Sequence, residues 1–318
     1  MLKEESVPNE LEGRPPQTFS IGVCASGRAR NLPALIARLV SEPFAPGFAL
    51  NQIVVVASGC EEQNLARVRL LTRDDQRIVL IEEGERRGKA EAVNRIVEAF
   101  WDDYLVLVNG DAFPERGSIQ SLLTAIAEDP SAGAVSGAPT FATPNDMVSG
   151  VVKLIWALHN GCALSLNHLG ISNHGSDELI VLRSEAVQKL PTGLVNDGGY
   201  LTGCAYSRGY KIRFCTGAPV NIDVPRRFVD LIHQRRRILF GHVQVWRLLG
   251  REPRTIETML VTTPGTSLSI LVKTLARTPR LICALPVAVV GEMIATIGTI
   301  WDVITSTRRH VVWRRYDE

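Results

Sequence analysis

No Cys-x-x-Cys pair occurs in this sequence: Cys24, Cys60, Cys162, Cys204, Cys215 and Cys283 are scattered. That pattern excludes a thiolate zinc site and fits a reducing cytoplasm. An excess of one charge is also missing, with 35 Lys and Arg against 33 Asp and Glu, formally +2. The bulk charge therefore makes no case for nucleic acid, and no nucleic-acid partner is expected. Internal repeats and low-complexity tracts are absent too. The start, Met1-Leu2-Lys3-Glu4-Glu5 running to Pro15-Pro16, lacks the features of a signal peptide, and residues 1–17 are expected to be a flexible lead-in.

What is present is a chain of 318 residues, 45 % hydrophobic and 21 % charged, with a mean hydropathy of +0.08. This is too polar for a multi-span protein and slightly apolar for a soluble one, so the apolar surplus should be local. Strand patterns at residues 19–24, 52–57, 77–81 and 103–108 alternate with helical patterns at 32–39, at 61–71 and at 88–101. Alternation of this kind predicts a mostly parallel α/β sheet with right-handed crossovers, with ligands beyond the carboxyl ends of the strands. A helix near 119–127 and a strand near 134–136 follow, and then the rhythm breaks. Residues 151–166 read as a long helix, 171–177 as a polar glycine-bearing passage, and 179–182 and 211–214 as further strands. The second half of the site is expected around these segments.

Four constellations could carry chemistry. Asn109-Gly110-Asp111 closes the fourth strand, where a carboxylate suits a hard divalent cation whose other ligands are waters and diphosphate oxygens; N-G-D is equally ordinary turn chemistry. Arg86-Arg87-Gly88-Lys89 opens a helix, a place where cations oppose the helix dipole unless an anion is bound. Asp197, in Asn196-Asp197-Gly198-Gly199, reads as a loop-held general base or as a helix N-cap. Gln234-Arg235-Arg236-Arg237 can aim two or three cations at a leaving diphosphate, or at a membrane surface.

In this order the four resemble the signature of family 2 glycosyltransferases, in the branch with cellulose-synthase-like motifs. The resemblance covers residues 19–242 and rests on V-V-V-A-S-G at 54–59, R-R-G-K-A-E-A-V-N at 86–94, N-G-D-A-F-P at 109–114, N-D-G-G-Y-L at 196–201, G-Y-K-I at 209–212 and Q-R-R-R-I at 234–238. It implies a GT-A fold: a Rossmann-like mixed sheet in residues 18–245, with a nucleotide-sugar half at 18–115 and an acceptor half at 116–245. It implies further that Asp111 is the metal ligand for Mg²⁺ or Mn²⁺ and Asp197 the base. Donor contacts would come from Ala25, Ser26, Arg28, Ser58, Gly88, Lys89, Asn109, Gln234, Arg236 and Arg237. The sequence departs from the family pattern at Asn109, where an aspartate is usual, at Ala57 and Ser58, where paired aspartates are usual, and at Ile238, where a tryptophan is usual.

The activity so implied is inverting transfer from a nucleoside-diphosphate sugar, a UDP-sugar first, to a lipid or glycan acceptor at the cytoplasmic face of a cell membrane. The alternatives are a membrane adaptor that kept the fold and a sugar-nucleotide pyrophosphorylase, for which Ala25-Ser26-Gly27-Arg28 is a poor phosphate loop. Residues 246–318 are expected to be a helical membrane-associated region. Within it, residues 281–301 have the length of a span, with Arg277 and Arg280 before and Arg308, Arg309, Trp313, Arg314 and Arg315 after. Glu292 near the middle would cost about 2.5–3.5 kcal/mol at the bilayer centre. With Pro286 and Gly298 interrupting the run, an interfacial or re-entrant helix is expected over a clean span, and a helix buried against the catalytic domain is the alternative.

Overall fold

The computed structural model describes residues 15–27, 29–144, 146–305 and 310–312. Its N-terminal half follows the expected alternation: β1 (Gln17–Gly27), α1 (Leu32–Ser41), β2 (Phe48–Cys60), α2 (Glu62–Asp74), β3 (Ile78–Glu83), α3 (Lys89–Ala99) and β4 (Tyr104–Asn109). The β-branched run at 53–56 is buried throughout because the sheet is covered on both faces. One face packs Phe19, Ile21, Val23, Ile53 and Val55 against α1; the other packs Val54, Val56, Leu105 and Leu107 against α3.

The second half adds β5 (Phe113–Pro114), α4 (Ser118–Glu128), β6 (Ala132–Thr140), α5 (Met147–Leu169), β7 (Leu179–Arg183), α6 (Asp197–Ser207), β8 (Lys211–Asn221) and α7 (Phe228–Leu249). The sheet order is β3-β2-β1-β4-β7-β6-β8-β5. Strands β1 to β4 are parallel, but β7 runs antiparallel to both β4 and β6, and β5 antiparallel to β8. The sheet is thus mixed, and the mostly parallel expectation holds only for its first half. Because β7 is reversed, its leading residues, Asp177 and Glu178, arrive beside the carboxyl end of β4. There the Asn109 N–H donates to the Glu178 carbonyl at 3.3 Å.

Two glycines allow the close approaches that set the site. At Gly22 a Cβ would lie 2.5 Å from Ile96 Cγ2, so its absence lets α3 seat on β1. At Gly110 a Cβ would lie 2.8 Å from both Ala25 Cβ and the Cys24 carbonyl oxygen, to which the Gly110 N–H donates at 2.8 Å. The turn after β4 is thereby laid against β1.

The chain closes with α8 (Ile256–Thr262), α9 (Pro264–Arg277), a 3-10 turn at Pro279–Ala284 and α10 (Leu285–Ile304). Pro286 sits in the first turn of α10, where a missing N–H costs nothing, so it does not interrupt the helix. The small and polar residues Ala288, Gly291, Ala295, Thr299 and Asp302 are buried. Gly291 lies against Phe228 and Gly298 against Arg236, both on α7. Glu292 reaches Arg235 Nε at 2.5 Å, which supplies its counter-charge. The opposite face, including Val290, Met293, Ile297, Ile300, Trp301 and Ile304, is exposed. Helix α10 is therefore packed on α7 along one side and bare and largely apolar along the other. The basic and aromatic margin at Arg308, Arg309, Trp313, Arg314 and Arg315 lies outside the described residues.

Gly22→Val would drive a branched side chain into Ile96 and Leu107. It is expected to cost about 1–3 kcal/mol of stability, read as a lower urea midpoint. An unchanged midpoint would show that α3 is not held on β1 by this contact.

Candidate active site

A cleft of about 220 Å³ opens at the carboxyl ends of β1, β2 and β4, walled by Ala25, Ser26, Ser58, Gly88, Lys89, Asn109, Asp111, Gln234 and Arg237. Nine of the sequence-predicted donor and metal residues are thus brought to one hollow. Arg28 lies outside the described residues. Arg236 is not in the cleft. Successive residues of a helix point about 100° apart, so Gln234, Arg237 and Ile238 share one face of α7 while Arg235 and Arg236 leave it. Arg236 pairs instead with Asp302 of α10, Nη2 donating to Oδ1 at 2.7 Å, and Arg235 pairs with Glu257 and Glu292. One arginine of the three, Arg237, faces the cleft, where two or three had been expected. It donates from Nε to the His310 carbonyl at 3.2 Å and from Nη2 to the Val195 carbonyl at 3.4 Å.

Lys89 also differs from the expected diphosphate contact. Its ammonium is held by two carboxylates, Asp177 Oδ2 at 2.5 Å and Asp197 Oδ2 at 2.9 Å. Gly88, with φ 105°, precedes α3 with no side-chain cap. Val311 lies over it, since a Cβ at Gly88 would stand 2.8 Å from Val311 Cγ1. Residues 310–312 therefore cover the expected anion-binding helix end. Ser58 donates to Glu83 at 2.6 Å, and Asn109 Nδ2 donates to Glu178 Oε2 at 2.7 Å.

Asn196 takes the cap of α6, its side chain accepting from the Gly199 N–H at 2.8 Å. This leaves the Asp197 carboxylate to turn inward toward Lys89. Gly198 permits the approach, because a Cβ there would meet Asp177 Cβ at 2.4 Å. Asp197 is 2 % exposed and does not wall the cleft; Asp177 and Glu178 do. These two acids were missed from sequence. Their signal was the step from polar Ser176-Asp177-Glu178 into the apolar Leu179–Leu182, an acid pair at the head of a strand.

The three acids titrate far apart. Burial pushes Asp197 up to about 6, against the pull of Lys89 and with help from Asp177. Burial, then the charges of Asp177 and Asp111, raises Glu178 to about 8. Burial also opposes ionisation of Asp177, but the charge and hydrogen bond of Lys89 prevail and hold it at about 2. Near neutrality Asp177 and Asp197 carry charge and Glu178 keeps its proton.

Among the described residues no three His, Cys, Asp or Glu side chains converge as a metal cage. Asp111 and Asp223 do wall the same cleft, together with Asp177 and Glu178. Carboxylate oxygens from a few protein ligands fit a hard divalent ion completed by ligand oxygens and water.

Residues 20–147 match the family model described as glycosyl transferase family 2. Over 210 residues the chain is 22 % identical to the poly-beta-1,6-N-acetyl-D-glucosamine synthase of Staphylococcus aureus strain COL, covering 65 % of this chain and 51 % of that protein. The chain thus spans about half the length of the curated relatives it matches. In structure it is similar to the mannosyltransferase PcManGT from Pyrobaculum calidifontis, solved in complex with GDP-Man and Mn²⁺, at a TM-score of 0.62 and 19 % identity over 90 % of this chain and 88 % of that one. A mycobacterial protein aligns at a TM-score of 0.51 and 16 % identity, over 77 % and 80 % of the two chains. These likenesses show the fold, which is GT-A, with a mixed sheet.

Carboxyl-selective NMR titration should resolve one acid near pH 6 that disappears in Asp197→Asn and one near pH 8 that disappears in Glu178→Gln. Lys89→Met should raise Asp177 from about 2, because the cation that holds it ionised is gone. An Asp197 that titrates in the ordinary carboxylate range would mean that the clamp is not formed in solution.

Proposed function

We propose that this chain is an inverting glycosyltransferase that moves a sugar from a nucleoside diphosphate, a UDP-sugar first, to an acceptor hydroxyl at the cytoplasmic face of a cell membrane. The observation that carries this reading is the end of the cleft where Asp111, Asp177, Glu178, Lys89 and Arg237 meet in one hollow. A diphosphate entering it would find Arg237 and Lys89 as cations, and backbone N–H groups at the start of α3 once residues 310–312 move aside. Mg²⁺ or Mn²⁺, held through Asp111 with Asp223 beside it, would neutralise charge on the leaving diphosphate.

Asp197 is the proton acceptor in this reading, and Lys89 stands in front of it. Its ammonium pairs with Asp177 and Asp197. A diphosphate would draw it forward and leave Asp197 able to take the acceptor proton, at a pKa close to that useful for a general base near neutral pH. Attack from the side opposite the leaving group inverts the anomeric centre. Asp177 is the second reading for the base, favoured by its place on the cleft wall, but its Lys89-bound state makes it a weak one.

Membrane attachment rests on the bare face of α10. Two stretches, Met147–Leu169 and Pro279–Ile304, are long and apolar enough to cross a bilayer. The second is committed on one side to α7 through Glu292 and Asp302, which favours lying in the interface over spanning.

Asp197→Asn should lower turnover by about 10²–10⁴ with donor affinity little changed, and the kcat/KM of the parent should fall as the pH drops below about 6. If Asp177→Asn shows that loss and Asp197→Asn does not, the base is Asp177. Chelator and Asp111→Asn should each abolish transfer; activity that survives both removes the metal from the mechanism. Met293→Glu with Ile297→Glu should release the chain from anionic vesicles in flotation. Equal flotation of parent and variant would sink the assignment of this face to lipid.

A further inference from the structure

Asp111, Asp177, Glu178 and Asp223 all wall the donor cleft, but they are not placed alike. Asp177 is committed to the Lys89 ammonium at 2.5 Å. Glu178 instead meets a neutral amide, its Oε2 accepting from Asn109 Nδ2 at 2.7 Å. The sheet sets that pairing. Strands β4 and β7 are antiparallel with Val108 opposite Leu179, so one further step along the register brings Asn109 beside Glu178, where the Asn109 N–H donates to the Glu178 carbonyl at 3.3 Å. Asp111 follows within the turn that the Ala112 N–H closes on the Asn109 carbonyl at 2.9 Å. Its charge lies near enough to be felt at Glu178.

The spacing in the Asn109–Glu178 pair is that of neighbouring ligands on one ion. A small divalent cation takes oxygens at about 2.0–2.1 Å in an octahedron, so adjacent ligand atoms stand about 2.9 Å apart. Asn109 Nδ2 and Glu178 Oε2 are separated by 2.7 Å, and a backbone hydrogen bond holds the two residues together behind their side chains. Asparagine and aspartate have the same shape, so a carboxylate on either side of this bond would reach the same ion. In this chain the acid is on the β7 side and the amide on the β4 side. The amide spends a donor on Oε2, which fixes the glutamate in place and leaves the rest of its carboxyl for another partner.

We propose that Glu178 supplies a second carboxylate, beside Asp111, to the divalent-ion site, and that Asn109 is the residue that positions it. This ligand set rests on the transferase reading above, which gives the ion to Asp111 with Asp223 beside it, and adds to it a ligand from β7 and the support of that ligand. Asp177, the neighbour of Glu178 in sequence, stays with Lys89 and is not a ligand. The proton that Glu178 holds near neutrality leaves as the ion enters, as it does from any carboxyl that becomes a ligand.

The test reads ion binding and not turnover. Mn²⁺ is added to the full chain in detergent micelles, with and without UDP, and the free ion is followed by electron paramagnetic resonance. Glu178→Gln and Asp111→Asn should each weaken binding by about tenfold or more, and Asn109→Ala, which removes only the support, by about tenfold. Glu185→Gln, on the exposed surface, should bind as the parent does. The double variant Asn109→Asp with Glu178→Gln exchanges acid and amide across the hydrogen bond and should regain most of the parent affinity. Unchanged Mn²⁺ affinity in Glu178→Gln overturns the proposal. So does a loss that the exchange fails to recover, and so does a parent chain that binds no Mn²⁺ under either condition. Should Glu178→Gln not fold, the parent answers alone: Mg²⁺ should shift the carboxyl NMR signals of Glu178 and Asp111 together, and a Glu178 signal unmoved at a Mg²⁺ level that shifts Asp111 overturns the assignment. Mn²⁺ binding with the expected variant pattern in a chain that turns over no nucleoside-diphosphate sugar supports the ligand set and removes the transferase reading. Turnover by a parent whose Mn²⁺ affinity is indifferent to Glu178→Gln does the reverse, so the two failures are distinguishable.

Discussion

The Lys89 ammonium, held between Asp177 and Asp197, is the contact on which the site depends. Each partner comes from a different part of the fold: Lys89 from the first turn of α3, Asp177 from the approach to β7, and Asp197 from the first turn of α6. The clamp joins the parallel half of the sheet to the half containing its reversed strand. It also places a cation at a helix N-terminus, where the dipole disfavours it, and two carboxylates compensate. Without the lysine, two carboxylates would share a buried corner, and one would have to be protonated for the corner to stay closed.

That arrangement assigns separate roles to acids that look alike in sequence. Asp177 faces the lysine closely and stays ionised, Asp197 keeps moderate basicity, and Glu178, buried and beside the charges of Asp177 and Asp111, holds its proton. Groups whose environments drive their titrations apart are the ones able to act as acid and base at one pH. The same separation lets several acids share the end of β4 beside the cleft.

Much of the fold was legible because the first hundred residues alternate cleanly between periods of two and 3.6, and each strand ends in a glycine-bearing polar loop. Asp111 was legible for the same reason, sitting where an apolar run stops. The reversal of β7 was not, since a short apolar strand reads identically in both directions. With it went Asp177 and Glu178, whose importance follows from which end of β7 meets β4. The arginine run on α7 was visible but overread. A run of three adjacent cations is not a patch on a helix, because the 100° step sends them to three surroundings. Position 237 joins 234 and 238 at the cleft, 235 turns to Glu257 and Glu292, and 236 to Asp302.

That dispersal also accounts for the carboxyl-terminal helix. Glu292 and Asp302 looked like obstacles to a membrane segment when read along α10 alone, but each is answered by an arginine of α7. A helix of an ordinary soluble protein turns its apolar stripe inward and its charges outward; α10 does the reverse, burying Gly291, Ala295 and Asp302 and exposing Met293, Ile297 and Ile304. Apolar surface left in water forgoes about 25 cal/mol per Å², and a contiguous bare stripe of this kind marks a surface that meets another apolar phase. The charges that anchor α10 inward leave its outward face predominantly apolar, and they tie it to the same helix, α7, that brings Gln234 and Arg237 to the cleft.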